Sequence, residues 1–155
     1  MLPVSEHRNI DEATETSEVT DFVRRYYAAL ERGEPLAGFY ISDQEAGPLG
    51  PVVKIGSGQG EEFTGYAAVA RAVNEVSAGF RGNQLESRAL AVRRQGGLAW
   101  FSDLVWWSGE QAQADNAEGQ KPVYQPFGSL TRWTGLCLLA SSGWRFLQVH
   151  VSEGI

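Results

Sequence analysis

The chain is poor in residues that cross-link or coordinate. It has one cysteine, Cys137, so no disulfide can form within it. It has two histidines, His7 and His150, and no Cys/His spacing of the kind that holds zinc. Basic residues are outnumbered, 13 Lys and Arg against 19 Asp and Glu, for a net charge of −6. No basic run interleaves with aromatics, so the electrostatic footprint of a nucleic-acid binder is missing. No apolar run approaches the roughly 20 residues that span a bilayer. The opening "MLPVSEHRNIDEATETSE" has neither the basic start nor the apolar centre of a signal peptide. The expectation is a cytoplasmic protein without metal or cofactor, binding neither nucleic acid nor membrane.

Phosphate-cradling and nucleophile motifs are absent too. "KIGSGQGEEFTG", Lys54 to Gly65, is rich in glycine, but a dinucleotide fingerprint starting at Gly56 or Gly58 needs glycine where Glu61 or Phe63 stands. A Walker loop needs its lysine after the glycines, and Lys54 precedes them. Glu61 and Glu62 would repel a phosphate at the helix start that follows. The stretch reads as a flexible strand-to-helix connection. No G-x-S-x-G elbow occurs, and the apolar neighbours of Cys137 in "GLCLLA" oppose a reactive thiolate.

What is present fits a single core in 155 residues, 43 % hydrophobic and 21 % charged. Five Trp, five Tyr and seven Phe suggest a lined cavity or an interface, or simply a thick core. Residues 1–15 are polar and aperiodic, an expected flexible arm before a domain over 16–155. In "SEVTDFVRRYYAALERG", Val19, Phe22, Val23, Tyr26, Tyr27 and Leu30 repeat at helical spacing, with Ser17 able to cap the start and Gly33 the end. "PLAGFYIS" reads as a short helix or turn, and "VVKI" as a scrap of strand. "GYAAVARAVNEVSAGF", opening at Thr64 or Gly65, predicts a second long helix. Then come "NQLESRALAVRR", "LAWFSDLVWWS", a polar loop "GEQAQADNAEGQKP", "VYQPFGSLTRWTGLCLLA" and "WRFLQVHVS", all strand-like. Helices followed by strands predict an α+β domain, with helices packed on a curved antiparallel sheet of about four to six strands.

Three residues carry the candidate chemistry. Asp103 is the only charge in "LAWFSDLVWW", sharing a strand face with Phe101 and Trp107. Desolvation among aromatics disfavours an ionised carboxylate and can make it a general acid or base; the alternative is an arginine pair or a backbone cap. His150, in "LQVHVS", belongs to a residue type that titrates near neutrality and can shuttle protons, but is equally readable as a hydrogen-bonded structural group. Strand alternation groups it with Trp144, Phe146, Gln148 and Ser152. Arg132 can hold a carboxylate bidentately, stack on a tryptophan, or pair with Asp103 across the sheet.

"IGSGQGEEFTGYAAV", "GLAWFSD" and "RWTGLCLLASSGWRFLQVHVS" together resemble the SnoaL-like subgroup of the nuclear transport factor 2-like superfamily. The last stretch matches the family's Arg-x-Thr strand, hairpin, and Trp-led final strand ending in His-x-Ser, here Arg132, Thr134, Trp144, His150 and Ser152. The same ending is similar to the association domain of calmodulin-dependent kinases. The resemblance covers residues 17–155 and implies the cystatin-like cone that also hosts ketosteroid isomerase, and a homodimer through the outer sheet face. Against that isomerase, Gly135 stands where its proton-donating aspartate would be, and Asp43 is only a loose counterpart of its base, so isomerase activity is not expected.

Three functions are open on this reading. One is binding of a small hydrophobic molecule in a pocket drawn from Tyr27, Phe101, Asp103, Trp107, Arg132 and His150. Another is proton-transfer chemistry of an isomerase, cyclase or hydrolase type through Asp103 or His150 on a polyketide-like or steroid-like substrate. The last is a dimerisation or association module with no ligand.

Overall fold

A computed structural model describes residues 5–113 and 119–154, with side chains from residue 16 onward. Part of the polar loop read before "VYQPF", residues 114–118, lies outside the described residues.

The first helix, α1, spans Ser5–Arg32. It runs through Ser17 instead of starting there, so residues read as an arm belong to its first turns from Ser5 onward. Its apolar stripe is the one the spacing predicts: Val19, Phe22, Val23, Tyr26, Tyr27 and Leu30 are all buried. Gly33 ends it at φ 67°, a conformation open to glycine, while the Glu34 N–H donates back to the Ala29 carbonyl at 2.9 Å. A 3-10 turn at Ala37–Phe39 and the short helix α2, Asp43–Ala46, follow. Helix α3 spans Tyr66–Gly79 after Gly65 at φ 90°, and its Tyr66 N–H donates to Asp43 Oδ1 at 3.0 Å. Asp43 thus caps a neighbouring helix.

Among the described residues the sheet has seven strands: β1 Val53–Ile55, β2 Glu62–Thr64, β3 Phe80–Ser87, β4 Ala91–Gln95, β5 Leu98–Ala112, β6 Tyr124–Ala140 and β7 Gly143–Glu153. The order is β2-β1-β7-β6-β5-β3, with β4 also paired to β5. It exceeds the expected strand number and is mixed, because "VVKI" pairs parallel with β7. The glycine stretch therefore joins β1 to β2 as a hairpin before the chain reaches α3.

The helices cover the concave face. Along β5, Ala99, Phe101, Asp103 and Val105 point inward and are buried, whereas Leu98, Trp100 and Trp106 on the other face are 36 %, 41 % and 37 % exposed. Phe22 and Tyr26 of α1 pack on Phe146 of β7 with ring centroids 4.7 and 5.0 Å apart. Burial of such side chains contributes about 1.5–3 kcal/mol each.

One irregularity matters for the site. The β6–β7 register passes from Leu136 opposite Gln148 to Cys137 opposite Phe146, leaving Leu147 as an extra residue. Simple alternation along "WRFLQVHVS" therefore breaks: Trp144 and Phe146 face inward, and beyond Leu147 the inward residues are Val149 and Val151. Gln148, His150 and Ser152 fall on the outer face.

Candidate functional site

Between α1, α3 and the inner sheet face lies a cavity of about 550 Å³. Its apolar wall includes Leu30, Val73, Val76, Phe80, Trp107 and Trp133. The two tryptophans are held in place. Trp133 Nε1 donates to Thr131 Oγ1 at 2.7 Å, and that hydroxyl donates to the Val105 carbonyl at 2.8 Å. Trp107 Nε1 donates to Asn83 Oδ1 at 2.9 Å, and Trp107 packs on Phe80 with centroids 5.0 Å apart. Indoles with their N–H groups satisfied keep a fixed wall when the space beside them fills or empties.

Polar groups gather elsewhere on the lining. Tyr26 contributes its ring, while its hydroxyl shares a 2.6 Å hydrogen bond with the Tyr40 hydroxyl. Burial raises the Tyr26 phenol to about 12, against the lowering effect of that bond, so it stays protonated at neutral pH. Lys54 lies at the centre of β1, in register with Phe63 and Val149, which places it on the inner face. Burial holds its ammonium below the usual lysine range, opposed by the nearby charge of Glu61. Glu61 also closes the glycine hairpin: its Oε2 accepts from the Gly58 N–H at 2.9 Å, and its carbonyl accepts from the Gly56 N–H at 2.7 Å. Side chains at Gly56 or Gly58 would collide with that carboxylate. The loop that resembled a phosphate cradle thus folds around an acidic group of its own.

The sequence-selected residues divide among three places. Trp107 lines the cavity. Phe101, Asp103 and Tyr27 are buried, and none of them is among the cavity's lining residues. Asp103 accepts from the Tyr27 hydroxyl at 3.0 Å, the Ser87 hydroxyl at 2.6 Å and the Ala89 N–H at 3.0 Å. It ties α1 to the connection between β3 and β4. Burial and the Asp103 charge together drive the Tyr27 phenol far above its ordinary range. Arg132 and His150 lie on the outer sheet face, opposite Ser152 and Thr134 respectively. The structure therefore does not bring Asp103, Arg132 and His150 together; the extra residue at Leu147 sets the face of His150.

Gly135 faces inward, and the Phe101 ring fills the space a side chain would need: a Cβ there would lie 2.5 Å from Phe101 Cε1 and 2.7 Å from the Gln148 carbonyl oxygen. No acid can stand at that position without displacing the ring. Sequence reasoning missed Lys54, Glu61, Tyr26 and Trp133 as lining residues. For Lys54 a signal existed, a lone charge inside the apolar run "VVKI".

Helices roofing the concave side of a long bent sheet around a cavity form the nuclear transport factor 2-like, or cystatin-like, cone. The chain belongs to the SnoaL-like domain family, whose profile matches residues 19–155. Among curated proteins, no sequence matches this chain. Among solved structures, it is similar to a proposed dehydratase of the nuclear transport factor 2-like family from Streptomyces avermitilis, at 18% identity and TM-score 0.76 over 93% of this chain and 99% of the other. A proposed scytalone dehydratase from Novosphingobium aromaticivorans matches at 12% identity and TM-score 0.69, covering 92% of this chain and 86% of its own. A proposed calcium/calmodulin dependent protein kinase II association domain from Xanthomonas campestris matches at 14% identity and TM-score 0.65, covering 88% and 86%. At these identities the likeness is one of fold.

Proposed function

We propose that this chain binds a small hydrophobic molecule in the cavity beneath α1 and α3. The observation that carries the reading is a space of about 550 Å³ walled by tryptophans whose N–H groups are already satisfied. Ligand sites commonly occupy about 300–1,000 Å³ and combine apolar walls with a few polar groups. Walls fixed in advance lose little side-chain entropy when a ligand enters. Relatives of this fold proposed as dehydratases support a ligand-handling role at the level of architecture only. Where proton transfer accompanies binding, the lining supports Lys54 and Glu61 in that role rather than Asp103 or His150. The test is titration with methylnaphthalene, followed by quenching of the cavity tryptophans. Val76→Trp, which fills the cavity from α3, should weaken binding about tenfold or more. Equal quenching in wild type and variant would remove the cavity as the site.

A second reading, compatible with the first, is a homodimer through the outer sheet face. Trp100 and Trp106 lie exposed there, and Trp100, Thr134, Leu136 and Gln148 border a shallow groove of about 530 Å³. Large aromatics exposed on one sheet face favour a covering partner, and the association-domain relative lends fold-level support. Sedimentation should give twice the 17.0 kDa chain mass, and Trp100→Glu should give the monomer. A wild-type monomer that persists at high concentration contradicts this reading.

A further inference from the structure

Primary amines are scarce in this chain. Of its 13 basic residues only Lys54 and Lys121 are lysines. Lys121 is exposed, in the segment before β6. Lys54 is half-buried on the inner sheet face and lines the cavity. Among the described residues no carboxylate lies within the 4.0 Å of an ion pair with Lys54, so its ammonium lacks the direct contact that would hold the proton. Glu61, on the same hairpin and lining the same cavity, acts on Lys54 through space. Arginine cannot lose its proton in a protein, whereas lysine in a partly apolar setting can. The chain otherwise favours arginine and places lysine here.

We infer that Lys54 is an imine-forming amine whose partner is a neutral, apolar aldehyde or ketone held in the cavity; this rests on the ligand-binding reading above. The Lys54 Nζ lone pair adds to the carbonyl carbon, forming a C–N bond as the C=O π pair moves to oxygen. Nitrogen gives up two protons to that oxygen, which leaves as water, and a C=N bond remains; nothing is oxidised or reduced. Glu61, beyond direct reach of Lys54, can carry protons from nitrogen to oxygen through one water. The apolar wall of Val76, Phe80 and Trp107 limits the water that would reverse the step. Burial, which already favours the neutral amine of Lys54, works in the same direction. A ligand carboxylate fits less well, because Glu61, Glu75 and Glu153 line the same cavity and repel it.

The test uses the whole chain with naphthaldehyde and sodium cyanoborohydride, followed by peptide mass spectrometry, beside fluorescence titrations with methylnaphthalene and naphthoate. The expected result is one naphthylmethyl adduct on the Lys54 peptide, formed about tenfold or more faster than on Lys121. Lys54→Arg, folded by circular dichroism, should lose that adduct while Lys121 reacts as before. Glu61→Gln, which keeps an oxygen for the Gly58 N–H but removes the charge that favours the ammonium, should shift the onset of Lys54 labelling to lower pH. Equal labelling of the two lysines overturns the inference. So does binding of methylnaphthalene with no Lys54 adduct, an outcome that leaves the cavity reading intact. Tighter binding of naphthoate without an adduct overturns it in favour of anion anchoring. If no naphthalene compound binds or labels Lys54, the ligand-binding reading falls as well.

Discussion

Replacing Asp103 separates structural from functional accounts of the most conspicuous carboxylate in the chain. Asp103 is 2 % exposed and accepts three hydrogen bonds. In Asp103→Ala all three donors lose their acceptor. Ser87 and Ala89 belong to exposed residues and can turn to water, but the Tyr27 hydroxyl, in a residue 5 % exposed, cannot. An unsatisfied buried hydroxyl costs about 1–3 kcal/mol, and hydrogen bonds to a charged group contribute about 1.5–3 kcal/mol each. Relief from burying a carboxylate offsets part of this. The expected loss is therefore about 3 kcal/mol, or roughly 6–12 °C in Tm for a domain of this size. Asp103→Asn should cost less, about 1–2 kcal/mol, because its amide oxygen still serves the Ala89 N–H and both hydroxyls can rotate to accept from its NH₂. Tyr27→Phe should cost a similar amount, and the double variant should fall short of the sum, since both changes break the same bond. Urea unfolding followed by tryptophan fluorescence measures all four chains. An Asp103→Asn protein at least as stable as wild type, yet unable to bind the cavity's ligand, would refute the reasoning: Asp103 would then be kept for chemistry at the expense of stability.

Gly135→Ala should lose about 1–3 kcal/mol, because its Cβ meets both the Phe101 ring and the Gln148 carbonyl; thermal unfolding equal to wild type would mean that the ring moves aside freely. Burial pushes the Cys137 thiol up to about 12, so a thiol reagent at neutral pH should label it only as the chain unfolds, and rapid labelling of the folded protein would contradict its place in the core. Hydrogen bonds, first from the Ser142 hydroxyl and then from the Ser141 hydroxyl and the Ser142 N–H, hold the Glu45 carboxyl below its ordinary 4.5. A lowered folded value means a contribution that is present above 4.5 and disappears as pH falls through the folded value, so the stability gap between wild type and Glu45→Gln should close in that acid window. A gap independent of pH would show that the carboxylate charge contributes nothing.

Much of the architecture is legible in the amino-acid order, and the reasons are local. The α1 face from Val19 to Leu30 repeats with the helical period because one side meets the sheet, and the strand β5 alternates between Ala99, Phe101 and Asp103 inward and Trp100 outward. The site is legible only where such periodicity stays unbroken. Trp107 lies on an uninterrupted stretch of β5, so its inward direction follows from counting. His150 lies beyond an extra residue in β7, and no residue type in "FLQV" announces where a partner strand will skip. Lys54 escapes notice for a different reason: a three-residue strand such as β1 has too few positions to show a period, and its inner face is fixed only by pairing with β7 and β2.

The extra residue at Leu147 bears on how this cone could acquire new chemistry. Deleting Leu147 would close the skip and leave every face beyond it unchanged, because Phe146 and Gln148 already pair with consecutive residues of β6. Were Leu147 instead kept and drawn into the ladder, Gln148, His150 and Ser152 would exchange places with Val149 and Val151, carrying an imidazole toward the lining that holds Lys54 and putting two valines on the outer surface. Losing the irregularity without losing the residue would thus trade an apolar wall for an acid–base pair. The same event would rewrite the surface proposed to meet a second subunit, so a catalytic innovation of this kind in β7 would be coupled to assembly from the outset.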